Sequence, residues 1–409
     1  MTSDATSKQY KDDVLRAFSL VSPSAVDIED PEIQDKYSKR HVELFRYRLN
    51  FPPELFNNRS VIDFGCGTGE FDNLLSTWGA SVIGFDFNVK SIERALRLKA
   101  QLTTVEADRL EFLVGDVDTF AIDGSSYDIA VSMGVLPHVP DQYEMFSRMA
   151  HAIRPGGYLI LGYIEDSGLI QRLLHRAIIT AVSTGDDSDT HRIARMLFGE
   201  HISRSVRAGN RSAASIINDY LVNPHYDGIS SQRLDMWAQR LGLRYYSTWP
   251  QTYFPFSVDS PDEPIIPRTT EFYQTYLSLH RLRWMFASHS DWTVFSHLAS
   301  LFSGPAGLIE QIISVLTDTL QGNNTSSLDL DSHCVLWDRL LRELNDALDA
   351  TSQEILTGVN RLSTELIDIL RYLNNPENDD SWKTAVPETE DLFRGYNGLG
   401  TTYTIWHKI

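Results

Sequence analysis

Between Ser60 and Ile164, five short β-branched runs alternate with helical stretches, and this constrains the fold more than any other feature. The runs are SVIDF, SVIGFD, LEFLVGD, YDIAVSM and GYLILGYI. Nearly continuous apolar runs of this kind suit strands buried on both faces. The stretches between them, roughly 70–78, 89–99 and 142–153, have helical spacing. Strand and helix in alternation predict a parallel sheet with right-handed crossovers, an α/β class. The third helix is expected to stop at RPGG, where proline and two glycines break it.

The first of these strands runs into VIDFGCGTGE, residues 61–70. A glycine-rich turn after a buried strand lets backbone approach a ligand closely. Two cofactor classes use such a turn. The dinucleotide pattern is G-x-G-x-x-G, with the third glycine packing the helix against the strand. Here the glycines are Gly65, Gly67 and Gly69, and Glu70 stands where the third dinucleotide glycine belongs. A carboxylate beside a pyrophosphate is repelled, so a dinucleotide is disfavoured, although spacing alone does not exclude it.

An acid followed by G-x-G-x-G resembles motif I of the class I S-adenosylmethionine-dependent methyltransferases, and four later landmarks extend the resemblance over residues 40–165. VIGFDFN ends the second strand at Asp86, about twenty residues after the glycines, where an acid can meet ribose hydroxyls. LVGDVD ends the third at Asp116. YDIAVSMGVLPHV is similar to the fourth-strand motif, and AHAIRPGGYLIL to the helix–PGG–strand motif. The resemblance implies S-adenosyl-L-methionine as cofactor. Asp63 then holds the methionine amino end and Asp86 the ribose, with Phe87 beside the adenine and Asp116 on its amino group. Gly65, Cys66, Gly67, Gly69, Val117 and Met133 complete that cradle. Tyr37 and Arg40, on the preceding helix, are candidates for the methionine carboxylate, with core packing the plainer alternative.

The resemblance continues more weakly. IINDYLVNPHYDGISSQRLDMWAQRLGLRYYSTWP is similar to a segment that precedes the sixth strand in small-molecule enzymes of this class. GLGTTYTIWHKI is similar to their last, antiparallel strand. The expected architecture is a Rossmann-like sheet of seven strands, mostly parallel, with large α-helical additions. Its divisions are a polar lead (1–35), the cofactor-binding core (36–167), a helical lid or substrate segment (168–229), the helix and sixth strand (230–250), a helical insertion (251–397) and the last strand (398–409). An independent helical domain with a stray terminal strand is the alternative for the C-terminal part.

Composition sharpens the partners. The chain has 409 residues and a net charge of −19. Residues 258–400 alone hold 22 Asp and Glu against 9 Lys and Arg. Nucleic acid is therefore a disfavoured partner, because phosphate contacts need clustered cations. No apolar run reaches the roughly 18 residues of a membrane span. The polar N-terminus has no signal-peptide core, and the two cysteines, Cys66 and Cys334, are far apart. Both fit a reducing cytoplasm and argue against a cysteine-built metal site. The amphipathic stripes of 251–397 bury a core, either within the chain or in a homo-oligomer.

Methyl transfer needs alignment of acceptor and methyl, and a base only for a protonated acceptor. His138, in the turn after the fourth strand, is the candidate catalytic base; ordering the loop is the competing role. Its availability tilts the reading toward O-methylation of a small or medium organic acceptor. Asp219, Tyr220, His225 and Tyr226 form a candidate substrate cluster, against the plainer reading of a structural turn around Pro224. Asp219, His225 and Asp227 have ligand chemistry but no metal spacing, so no metal is expected. The basic stretch 191–211, with Arg192, Arg195, Arg204, Arg207 and Arg211 against Glu200, offers an attraction for an anionic acceptor or, as plainly, a solvated face. An RNA or protein acceptor, or a binding scaffold without turnover, are the alternatives.

Overall fold

The computed structural model describes residues 9–15, 26, 28–209, 211–223, 225–250 and 401–409, with isolated positions between 335 and 389. Seven strands form one sheet: β1 (Ser60–Phe64), β2 (Ser81–Asp86), β3 (Leu110–Val114), β4 (Tyr127–Met133), β5 (Ile153–Ile164), β6 (Leu243–Trp249) and β7 (Thr401–Lys408). Their order is β3-β2-β1-β4-β5-β7-β6. The first five are mutually parallel, and β7 runs antiparallel between β5 and β6. This is the expected mixed sheet.

Both faces are covered, and the side-chain period of two decides which residue goes where. Ile62, Phe64, Leu159, Leu161 and Trp406 enter one core, which packs on α4 (Gln142–Ala152) and α7 (Ser231–Arg240). Val61, Val131, Ile160 and Ile405 enter the other. There α2 (Glu70–Thr77), α3 (Val89–Lys99) and the aromatics Phe45, Phe51 and Phe56 close the layer. Each fully buried aliphatic contributes about 1.5–3 kcal/mol.

Local signals set the helix ends. Asn88 and Asp141 cap α3 and α4 through side-chain acceptance of Lys90 N and Glu144 N. Ser230 caps α7, and Gly242 leaves it at φ +69. The helix that carries Tyr37 and Arg40 begins inside the segment expected as a polar lead (1–35). Asp30 caps it and Pro31 opens α1 (Pro31–Val42), which then widens into a π-helical turn, Glu43–Arg48. RPGG stops the helix as expected, and it is also part of the next strand. The helix ends before it at Ala152, and the four residues form a bulge inside β5: Tyr127 pairs with Ile153, yet Ile129 pairs with Tyr158.

After β5 the chain forms α5 (Ile170–Val182) and α6 (Asp187–Gly209), the latter kinked at Phe198, followed by a π-helical turn, Ile217–Val222. Strands β6 and β7 hydrogen-bond directly although 151 positions lie between Trp249 and Thr401. The helices expected in 251–397 fall outside the described residues, apart from isolated positions. No helix among the described residues is long and apolar enough to cross a membrane.

Candidate active site

The strand order reverses between β1 and β4, and a cavity opens at the carboxyl ends of the parallel strands there. Its volume is about 390 Å³, within the range of small-molecule sites. Asp63 and Gly65 reach it from the end of β1, Asp86 from β2, Met133 from β4 and Tyr163 from β5. Tyr403 arrives from the start of β7, which lies at the same edge because that strand is antiparallel. Lys11, Tyr37 and the segment after β5 cover the opening.

One end of the cavity is acidic. Gly65, Gly67 and Gly69 all have positive φ, between 56° and 79°. A Cβ on Gly65 would meet Val135 well inside 3.0 Å, so only glycine keeps this cradle open. Asp86 fixes the turn: its carboxylate accepts from Gly67 N at 3.1 Å and from Asn88 N at 2.8 Å. Burial pushes its pKa up to about 6, against the lowering effect of those two bonds. Phe87 lines the wall next to it, as do Cys66 and Val117. Burial raises the Cys66 pKa, so it is a neutral thiol, packed over Gly84.

Asp63 and Asp72 form a buried pair. Asp63 Oδ1 and both Asp72 oxygens lack a hydrogen-bond partner among the described residues. Two ionised carboxylates can only accept, so neither satisfies the other. Burial raises both, and mutual repulsion raises Asp72 further; a single proton between them relieves the clash. Glu70 is buried too, accepting from Thr68 Oγ1 at 2.5 Å and from Val26 N at 3.1 Å, with Arg94 at 3.6 Å. Asp116 pairs with Lys11 at 2.7 Å, as does Asp118, which ties the N-terminal helical segment across the opening.

These groups fit a cationic ligand rich in donors. An ammonium group matches the unpartnered Asp63 oxygen, and vicinal hydroxyls match Asp86. A pyrophosphate would meet Asp63, Glu70, Asp86, Asp116 and Asp118 instead. The residues present therefore suit S-adenosylmethionine and disfavour a dinucleotide.

The other end is basic and aromatic. His138 sits in a 3-10 turn, Leu136–His138, started by Pro137. Its Nδ1 lies 2.8 Å from the His225 carbonyl oxygen and 3.2 Å from the Asn223 amide nitrogen; the shorter contact, to a carbonyl, favours a proton on Nδ1. The basic lone pair is then on Nε2, 3.9 Å from Asp219 Oδ1. Burial lowers the His138 pKa, and Arg172 and Arg176 add to this; Asp219 and the His225 carbonyl oppose it. Arg211 donates to Asp219 at 2.8 Å and to Tyr220 Oη at 3.2 Å. Arg172 donates to Tyr226 Oη and lies 3.9 Å above the Tyr220 ring.

Most of the expected site residues meet in this one cavity. Asp63, Gly65, Cys66, Gly67, Asp86, Phe87, Asp116, Val117, Met133 and Tyr37 line it, and so do His138, Asp219, Tyr220 and Tyr226. Gly69 stands just behind, where a Cβ would strike Ala95 and Phe112. Two others point elsewhere. Arg40 is exposed and does not line the cavity. His225 stacks on Tyr10 at 3.7 Å and approaches Asp13 at 3.4 Å; it contributes its carbonyl to His138, not its ring to the cavity. Of the basic stretch, Arg192 is exposed and paired with Asp189, while Arg211 enters the cavity. Lys11, Tyr163, Arg172 and Tyr403 also line it, although no motif marked them. For Arg172 the available signal was an arginine on the apolar helix LIQRLLHRAIITAV.

Comparison with known proteins agrees with the geometry. The family described as "Methyltransferase domain" matches residues 37–248, half of the chain. The mitochondrial ubiquinone biosynthesis O-methyltransferase of Schizosaccharomyces pombe is 29% identical over 178 residues, 42% of this chain and 62% of that protein. The ubiquinone biosynthesis O-methyltransferase of Paracidovorax citrulli is 31% identical over 110 residues, 26% of this chain and 44% of its own. The chain thus spans less than two thirds of the curated relatives it matches. A crystal structure of an S-adenosylmethionine-dependent methyltransferase from Mesorhizobium loti is 27% identical, covering 28% of this chain and 50% of that one at a TM-score of 0.25. With motif acids, glycine turn, strand order and family match in agreement, the chain belongs to the class I S-adenosylmethionine-dependent methyltransferase domain family.

Proposed function

We propose that the protein transfers the methyl group of S-adenosylmethionine to a hydroxyl of a small organic acceptor. When bound, the cofactor supplies an electrophilic methyl on a cationic sulfur. The observation that carries the reading is His138, a buried imidazole anchored at Nδ1 by the His225 carbonyl, opening on the same cavity as the acid-lined glycine turn. Its lowered pKa keeps it neutral near pH 7, with Nε2 able to take the acceptor's hydroxyl proton. Gly65 to Gly69, Asp63 and Asp86 hold and orient the donor. Tyr220, Tyr226 and Tyr403 exclude water from the acceptor side. The O-methyltransferase names of two relatives support an oxygen acceptor.

The test has two arms. Calorimetric titration should find micromolar binding of S-adenosylhomocysteine and none of NAD. In extracts, labelled methyl should pass to the small-molecule fraction. His138→Gln should lower kcat by about 10²–10⁴-fold with cofactor affinity intact. Wild-type kcat/KM should rise with pH through a group below 6.5 and be flat from pH 7 to 8. Label in protein or RNA, or unchanged turnover in His138→Gln, would sink the reading.

A further inference from the structure

The acceptor end of the cavity holds more positive charge than its own acids offset. Arg211 is neutralised by Asp219 at 2.8 Å, and Arg176 has Asp227 as its acid. Arg172 differs. It is 4% exposed and lines the cavity, yet among the described residues no carboxylate lies within 4.0 Å of its guanidinium. It donates to the Tyr226 hydroxyl and lies over two tyrosine rings, 3.9 Å from Tyr220 and 4.8 Å from Tyr226. Phenols and π-faces orient a cation but do not cancel its charge. Burying an uncompensated charge is costly, and that cost is recovered when a ligand brings the counter-ion. The fork of a guanidinium suits a carboxylate, bound through two parallel hydrogen bonds. Burial lowers the Arg172 pKa and Arg211 adds to this, while Tyr220 and the more distant Asp219, already engaged by Arg211, oppose it.

The walls give the rest of the ligand. Tyr220 and Tyr226 stand beside Arg172, with Tyr226 edge-on to His138, and Tyr403 also lines the cavity. Flat aromatic walls favour a flat aromatic guest. The opposite end, with Asp63, Glu70, Asp86 and Asp116, repels an anion, so the cavity sorts its two occupants by charge.

We infer that the acceptor is a small aromatic hydroxy acid whose carboxylate docks on Arg172, placing its hydroxyl toward His138. Arg211, which also lines the cavity, is paired with Asp219 and held by Tyr220, so Arg172 alone is left to meet the carboxylate. The inference rests on the proposed methyltransferase function and names the acceptor class for that site.

The experiment uses the full chain saturated with S-adenosylhomocysteine. Calorimetry compares 4-hydroxybenzoate with 4-hydroxybenzamide, and 3-(4-hydroxyphenyl)propanoate with its amide. At least one acid should bind about ten-fold tighter than its amide. Arg172→Gln should bring that ratio to within about two-fold, and Arg172→Lys should retain part of it, because a point charge replaces a fork. S-adenosylhomocysteine should bind both variants as it binds the wild type. Acids and amides binding alike, or none binding, overturns the inference. So does a ratio that survives Arg172→Gln. A specific loss of S-adenosylhomocysteine affinity in a folded Arg172→Gln protein also overturns it, since Arg172 would then serve the cofactor carboxylate. If circular dichroism finds Arg172→Gln unfolded, Arg172→Lys decides: an undiminished acid preference there counts against the fork. Wild-type protein that binds no S-adenosylhomocysteine sinks the methyltransferase reading itself, which is a separate result.

Discussion

At the scale of single residues, two glycines with nearly equal backbone angles separate turn geometry from cofactor approach. Gly65 has φ +77 and Gly156 has φ +80. An added Cβ at Gly156 meets nothing within 4 Å, whereas at Gly65 it meets Val135. Gly156→Ala should therefore cost only left-handed strain, about 1–2 kcal/mol. Gly65→Ala should cost that plus overpacking, about 2–5 kcal/mol together, and should abolish S-adenosylhomocysteine binding. Urea unfolding and calorimetry check both, and equal costs would refute the packing argument. Gly65 was legible because its spacing and the acid before it form a pattern. Asp63, Asp86 and Asp116 were legible for the same reason, each lying at or just past the carboxyl end of a parallel strand. Arg172 was not, because an arginine inside an apolar helix reads as either a snorkelling side chain or a buried cation. Only the packing of α5 against Tyr220 and Tyr226 decides between them. His225 shows the converse: its residue type suggested a ring in the site, while backbone geometry turned its carbonyl there instead.

At the scale of elements, the last strand explains how a sheet closes across a long separation in sequence. Lys408, near the end of β7, donates to Ala150 O and Ile153 O, both at 2.8 Å. These are carbonyls at the C-terminal end of α4, where a helix has unsatisfied acceptors and negative potential. Lys408 thus fastens the edge of β7 to the helix beneath it. Lys408→Met keeps the aliphatic stem and removes both bonds. It should lower stability by about 1–3 kcal/mol, read as a lower urea midpoint with unchanged slope. An unchanged midpoint would mean that water serves those carbonyls equally well. The strands and α2, α3, α4 and α7 were readable from period, caps and β-branched runs, but β3 ends two residues before the run LEFLVGD does, and β5 begins at Ile153, four residues before GYLILGYI. The RPGG bulge was not, since proline and glycine mark the end of the helix without saying that the next strand has already begun at Ile153. The π-helical widening of α1 likewise leaves no local mark in sequence. It becomes definite only when Phe45 packs into the aromatic layer.

At the scale of the whole molecule, the active site is a cavity of opposed charge, and this links cofactor affinity to pH. Asp86 has a pKa raised from 3.8 to about 6, and burial raises Asp63, Asp72 and Glu70 as well. A carboxyl with a raised folded-state pKa holds its proton more tightly folded than unfolded. Its contribution to stability is therefore full below pH 3.8 and is lost as pH rises through about 6. Asp86 also opens to the cavity, so water softens the effect, and the loss is on the order of 2 kcal/mol. Donor groups on the bound cofactor reverse this, because they favour the ionised carboxylates. Binding below pH 6 must then release protons, and affinity should rise with pH. From pH 5 to pH 7 the dissociation constant of S-adenosylhomocysteine should fall about ten-fold, which is about 1.4 kcal/mol. The rise in melting temperature at a fixed excess of ligand should be larger at pH 7.5 than at pH 5. Calorimetry near pH 6 in two buffers of different ionisation enthalpy should detect the released protons directly. Asp86→Asn should bind more weakly and with a flatter pH profile, since the group that changes charge is gone. A dissociation constant independent of pH, with no proton release, would mean that these acids are already ionised in the empty protein.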